Sequence, residues 1–211
     1  MKRKLILTYL LCMLSFLAAC SSGSKTDPSS DQLMSETYGK LYEQKVKEQA
    51  DDNTIFSLIL LNHDDIPELA VYDQYYENLS IYTIKENEVV CLLDAMHAVE
   101  VTYYEQTGIL AKFARWNGGG DEGGYGWYYF RIDEDQTLTD ESTPLLYHTY
   151  DAVYNEKGEF TGKGIMHCYE KDQEIDKENY HKILEKLGVN AQGESCTKEA
   201  MGIDEIKKLL K

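Results

Sequence analysis

Two stretches of the chain carry side chains whose types and spacing could do chemistry. The first is Leu61-Asn62-His63-Asp64-Asp65-Ile66-Pro67-Glu68, where carboxylates and an amide crowd a short turn. Alternating acids in a turning loop converge hard oxygens, and calcium takes roughly six to eight of them. An imidazole beside carboxylates can recruit a transition metal, but His63 stands alone there and reads as solvent-facing. The second stretch runs from Trp116 through a glycine-rich tip to Trp127. It is not a phosphate loop: it lacks Gly-Lys-Ser/Thr and carries Asp121 and Glu122 where an anion would sit.

The arms of that second stretch form a hairpin. Pairing them with Trp116 opposite Tyr125 sorts the faces. Ile109, Ala111 and Phe113 then join Tyr128, Phe130 and Ile132 on the expected core side. The opposite side gathers the ligand candidates Trp116, Tyr125, Trp127, Tyr129 and Arg131. Such rings stack on sugars, and equally on each other as cross-strand pairs beneath a terminal helix. A one-residue slip would exchange the two sets.

No catalytic residue is assigned. G-x-S-x-G and H-E-x-x-H are both missing. His97, His148, His167 and His181 lack a partner spacing and read as sheet or helix histidines. Cys91, Cys168 and Cys196 form no C-x-x-C or Cys/His spacing that suggests zinc.

The elements that would position these residues follow from periodicity. Met34, Tyr38, Leu41, Tyr42 and Val46 make one stripe of a helix ending near Asp51-Asp52-Asn53, with Ser29 and Gln32 spaced as a capping box. Ile55 to Tyr72 reads as strand, acidic loop, strand. Short strands follow at 79–85, 88–93, 99–104, 109–116, 125–133, 145–154 and 164–169. Turns fall at Glu86-Asn87, Gln106-Thr107-Gly108 and Asn155 to Gly158. Asp176 is a fitting N-cap, with Ile175 and Tyr180 as a staple and Gly188 as the C′ glycine. A last helix carries Ile203, Ile206, Leu209 and Leu210. The expected fold class is α+β: an antiparallel meander packed with an N-terminal helix and C-terminal helices.

Two resemblances add to this reading. Lys2, Arg3 and Lys4, the apolar run Leu5 to Ala18 and then Leu17-Ala18-Ala19-Cys20 resemble the signal and lipobox of bacterial lipoproteins. That resemblance implies a signal peptide over 1–19, diacylglyceryl modification of Cys20, and a polar tether over 20–30 that reaches at most about 35 Å. A single α+β domain, 31–211, would then face the extracellular side of the cell membrane. Leu61 to Leu69 resembles the D-x-D-G-D-G-x-x-E-L loop of FG-GAP and VCBS-type domains. The resemblance implies the oxygen ligands Asn62, Asp64 and Glu68. Leu60 replaces one acid, Asn62 lacks a charge, and His63 and Asp65 replace glycines. The loop is expected to be structural first and at best a weak calcium site.

The net charge of −16 becomes −19 once Lys2, Arg3 and Lys4 leave with the signal. Such a surface repels phosphate backbones and anionic headgroups, so nucleic acid is excluded as a partner and the acyl chains must hold the membrane. The expected function is a membrane-anchored surface module binding a glycan, a cell-wall fragment or a protein. The alternatives are an inhibitor or immunity-type protein for a basic partner, and a cell-surface hydrolase.

Overall fold

The computed structural model describes residues 30–64, 66–98, 100–117, 123–133, 135–189 and 193–211. The signal segment, Cys20, Ser29, Asp65, Val99 and the hairpin tip 118–122 lie outside them. The chain divides into two compact units, Met1–Ser35 and Glu36–Lys211. Of the first, only the opening of a helix at Ser30–Ser35 is described; the rest of this section concerns the second.

Helix α1 (Ser30–Gln49) leads into β1 (Thr54–Ile59), β2 (Glu68–Asp73), β3 (Asn78–Lys85) and β4 (Glu88–His97). These four pair antiparallel in chain order. A second antiparallel sheet takes β5 (Glu100–Tyr104), β6 (Ile109–Asn117), β7 (Gly123–Arg131), β8 (Leu146–Tyr154), β9 (Phe160–Glu170) and β10 (Gln173–Ile175). The short β11 (Glu194–Ser195) closes the free edge of β5. Helices α2 (Lys177–Lys186) and α3 (Ile203–Leu209) complete the α+β fold. Neighbours in sequence are neighbours in the sheet, and several of the turns between them are tight. Glu86 and Asn87 both hold positive φ, 52° and 66°, as do Lys171 and Asp172, 46° and 68°. That backbone suits a two-residue hairpin turn.

Period-two alternation gives each sheet two faces, and all four faces find a layer. Phe56, Leu69, Val71 and Ile84 pack under Tyr42 and Val46 of α1 and Ile206 and Leu210 near α3. On the other side of the same sheet, Ala70, Leu79, Ile81 and Leu93 meet Val101, Leu110 and Phe130 of the second sheet. The far face of the second sheet, with Ile109, Ala111, Tyr129, Leu146 and Cys168, lies under Tyr180 of α2 and Val189. The order is therefore helix, sheet, sheet, helix. The inter-sheet core draws its second-sheet members from β5, β6 and β7, so β8–β10 extend beyond the smaller sheet.

Helix α2 starts and stops as its sequence predicts. Asp176 Oδ1 accepts the Asn179 N–H at 2.8 Å. Gly188 takes φ 76°, and the Val189 N–H returns to the Leu184 carbonyl at 3.0 Å. Other expectations are corrected. Leu209 of α3 is 58% exposed rather than on the buried stripe. Strand β9 begins at Phe160 and β4 runs on to His97, while β10 and β11 carry too few residues to show a period.

The β6–β7 register differs from the expected one by one residue. Arg115, not Trp116, stands opposite Tyr125, and Trp116 stands opposite Gly124. A Cβ on Gly124 would lie 2.5 Å from the Trp116 ring and also strike the Tyr150 carbonyl, so only glycine fits against that indole. The slip exchanges the faces. Tyr125, Trp127, Tyr129 and Arg131 align with Arg115, Phe113, Ala111 and Ile109. Trp116 lies on the other side of the sheet, and Tyr128 and Phe130 turn toward the inter-sheet core.

Candidate functional site

The acidic loop joins β1 to β2, and the side chains of Asn62, Asp64 and Glu68 bond its own backbone. Asn62 Oδ1 accepts the Asp64 N–H at 3.0 Å, and Asp64 Oδ1 accepts the Ile66 N–H at 2.9 Å. These are side-chain turns of the kind that Asn and Asp favour. Glu68 points away from solvent. It is 0% exposed, and its Oε2 accepts the Leu61 N–H at 2.8 Å, tying the loop's start to its end. Burial lifts its carboxyl to about 7 against the hydrogen bond from Leu61, and the nearby charge of Asp64 adds to the rise. The other oxygen, Oε1, is buried without a partner, as is the hydroxyl of Thr83 one step along the β2–β3 register. Close by, the buried Tyr42 hydroxyl donates to the Pro67 carbonyl at 2.8 Å. Among the described residues no three His, Cys, Asp or Glu side chains group as a metal site. Asn62, Asp64 and Glu68 thus act within the loop as two turn caps and one buried tie.

The far face of the second sheet holds a row of hydroxyls beneath α2. Tyr104 bonds Tyr129, Tyr129 bonds Tyr180, and the Tyr180 hydroxyl lies 2.5 Å from His148 Nδ1. Burial, helped by the charge of His181, holds the His148 imidazole down to about 4. Tyr129 accepts from the hydroxyls of both Tyr104 and Tyr180, which favours the protonated form of the two donors. Together these contacts give the polar groups under the helix partners. His148 is the satisfied sheet histidine that the sequence suggests. His167, at the surface, lies between Glu174 (Nδ1 to Oε1, 3.1 Å) and Asp151 (Nε2 to Oδ2, 3.6 Å).

The five ligand candidates do not form one shelf. Tyr129 is 6% exposed and sits in the core under α2, and Trp127 packs beside it against Phe113 at 5.1 Å between ring centroids. Trp116 covers Gly124 on the other side of the sheet. Arg131 is exposed opposite Ile109, at the end of β7 far from the hairpin tip. Tyr125 borders an open site.

That site is a groove of about 400 Å³ across the ends of β7, β8 and β9, beyond the edge of α2. One wall is Tyr125 stacked on Tyr150, ring centroids 5.0 Å apart at 25°. The other is Tyr154 with Phe160, centroids 6.0 Å apart. Gly123, Ala152 and Gly164 lie between them and give the floor no side chain beyond a methyl. Asp151 and Lys163 also contribute to the lining. Its size and aromatic lining fit small-ligand sites in general. A second cleft of about 350 Å³ at the end of α1 is lined by Glu48, Asp51 and Asp73. There Asp51 and Asp73 already cap backbone N–H groups of Asn53, Tyr75 and Tyr76.

Tyr150, Tyr154 and Phe160 escape a sequence reading that weighs each hairpin alone. The available signal was the coincidence of aromatic residues at alternate positions of β8 with alternate glycines, Gly162 and Gly164, in the partner strand. No protein-family model and no curated protein matches this chain.

Proposed function

We propose that the chain is a membrane-anchored surface module that binds a glycan or cell-wall fragment in the Tyr125–Tyr150–Tyr154–Phe160 groove. The observation that carries this reading is the groove itself: two aromatic walls facing a floor of bare backbone at the open end of three strands. Aromatic faces pair with the C–H faces of sugar rings while the hydroxyls stay in water. A net charge of −16 repels polyanions, so the groove suits a neutral ligand. The lipid on Cys20 would hold the domain to the outer side of the membrane, within tether reach of wall polymers.

The test is co-sedimentation of the purified protein with insoluble peptidoglycan, chitin and cellulose, wild type beside Tyr150→Ala and Phe160→Ala. Phe160 is 61% exposed, so its loss leaves the fold unchanged. Wild type should pellet with at least one polymer and both variants should remain in the supernatant. If the wild type remains soluble with all three, the glycan reading is wrong.

A further inference from the structure

A sheet edge bares a row of N–H and C=O groups that can pair with another extended chain, and folded proteins commonly cover it. The two sheets have four edges, and three of them have a chain segment bonded against them. Met201 bridges Phe56 of β1 through hydrogen bonds of 2.9 and 2.8 Å. Leu138 donates to the Leu92 carbonyl of β4 and accepts from the Asp94 N–H. Strand β11 lies along β5. At the fourth edge β10 covers only Cys168, Tyr169 and Glu170 of β9.

That leaves Lys163–His167 of β9 bare on its outer side, with no described strand paired to it there. Successive residues of an antiparallel strand turn their backbone groups to alternate sides. The Lys171 N–H bonds the Leu145 carbonyl on the β8 side. The β8–β9 register is regular from Glu170 to Lys163, so by alternation Gly164 and Met166 turn their N–H and C=O groups outward. The stretch is bounded at both ends. Strand β10 occupies one end, and at the other the register shifts at Val153 and Gly162 takes φ 75°, which bends the strand away. A slot of this kind takes one short strand rather than an open stack.

The charges beside the slot say what kind of strand fits. Ile165, 54% exposed, pairs with Asp151 and shares a face with His167. The carboxylates of Asp151 and Glu174, both open to solvent, flank that imidazole. Lys163 stands on the same face at the opposite end, beside Val153. A basic side chain entering near His167 meets two carboxylates. The net charge of −16 draws a cationic segment and repels a second copy of the chain.

We infer that Lys163–His167 is a docking edge for an extended cationic segment of a partner protein, which adds to the second sheet as one further strand. This goes beyond the glycan reading and does not depend on it: the partner is held by backbone groups at the edge, the glycan by rings on the sheet.

The probe is a fluorescently labelled peptide of alternating valine and lysine, titrated by anisotropy against the full chain in detergent. It should bind, and its valine–glutamate counterpart should bind about tenfold more weakly or worse. Two N-methylated forms of the lysine peptide test the backbone. An added strand turns alternate amides toward β9, so methylating one set should weaken binding about tenfold or more, and methylating the other should leave it unchanged. Glu174→Gln combined with Asp151→Asn changes two exposed positions and should weaken the lysine peptide while melting as the wild type does. The inference is overturned if the lysine peptide does not bind, or if the two methylated forms bind equally. Equal affinity for the glutamate peptide, or unchanged affinity in the double variant, overturns it too. A stable dimer that excludes the peptide would give the edge to a second copy and overturn it as well.

Discussion

Glu68, buried, and His148, half-buried, are titratable groups displaced in opposite directions, and their contributions to stability run against each other. Glu68 is raised from 4.5 to about 7, so between those values the folded protein holds a proton that the unfolded chain has released. Its contribution is full below pH 4.5 and is lost as pH rises through 7. His148 is lowered from 6.5 to about 4, so the unfolded chain binds the proton first as pH falls. Its contribution is full above pH 6.5 and is lost as pH falls toward 4. Each is worth up to about 3 kcal/mol at 1.36 kcal/mol per unit, and between pH 4.5 and 6.5 they largely cancel. Thermal melts should separate them: Glu68→Gln leaves a profile that climbs from pH 4 to 6.5, and His148→Gln one that declines from pH 4.5 to 7. Parallel profiles in wild type and both variants would contradict these placements. The spacing of Glu68 after Asn62 and Asp64 reads as a ligand pattern in the sequence. Its burial was not legible there, because it depends on Leu61 and Thr83, one seven residues away and one in the next strand.

At the level of elements, what could be read depended on how local the determinant was. The ends of α2 are set by Asp176, Tyr180 and Gly188, all within one helix, and their types predict their roles. Their loss should be measurable. Asp176→Ala removes the cap on Asn179 and should cost about 1 kcal/mol. Gly188→Ala forces a side chain into φ 76° and against Thr107 Cγ2 at 3.2 Å, and should cost about 1–2 kcal/mol by chemical denaturation. A melting point unchanged in both would mean that α2 contributes nothing to the cooperative unit. The β6–β7 register was not local. Both alignments place aromatic residues on each face, and the choice falls to Gly124, which yields to Trp116 on one side and the Tyr150 carbonyl on the other. The groove depended on that register and on β8 and β9 as well, so of its four aromatic residues the sequence singled out Tyr125 alone, and their meeting was not legible.

For the molecule as a whole, the α+β class and the chain-order meander followed from periodicity and turn residues. The division into two stacked sheets did not, since nothing between His97 and Glu100 marks a change of sheet. Anchoring belongs to this scale too. An acidic domain gains no attraction to anionic headgroups, so the proposed attachment would have to come from acyl chains on Cys20. In a bacterial host the full chain should fractionate with membranes and gain the mass of a diacylglyceryl group. Cys20→Ala should appear in the soluble fraction at unmodified mass. Equal distribution of the two would refute the anchor.

The unequal width of the two sheets has a consequence for how such a protein can change over generations. Residues 155–165 at the β8–β9 tip are all exposed, and the smaller sheet ends before reaching these strands. Substitutions at Tyr154, Phe160 or Lys163 therefore alter what the groove accepts while touching none of the three buried clusters. A lineage could explore new ligands at this overhang without risking the capacity to fold. The part of the molecule that meets the outside world is the part least constrained by the rest of it.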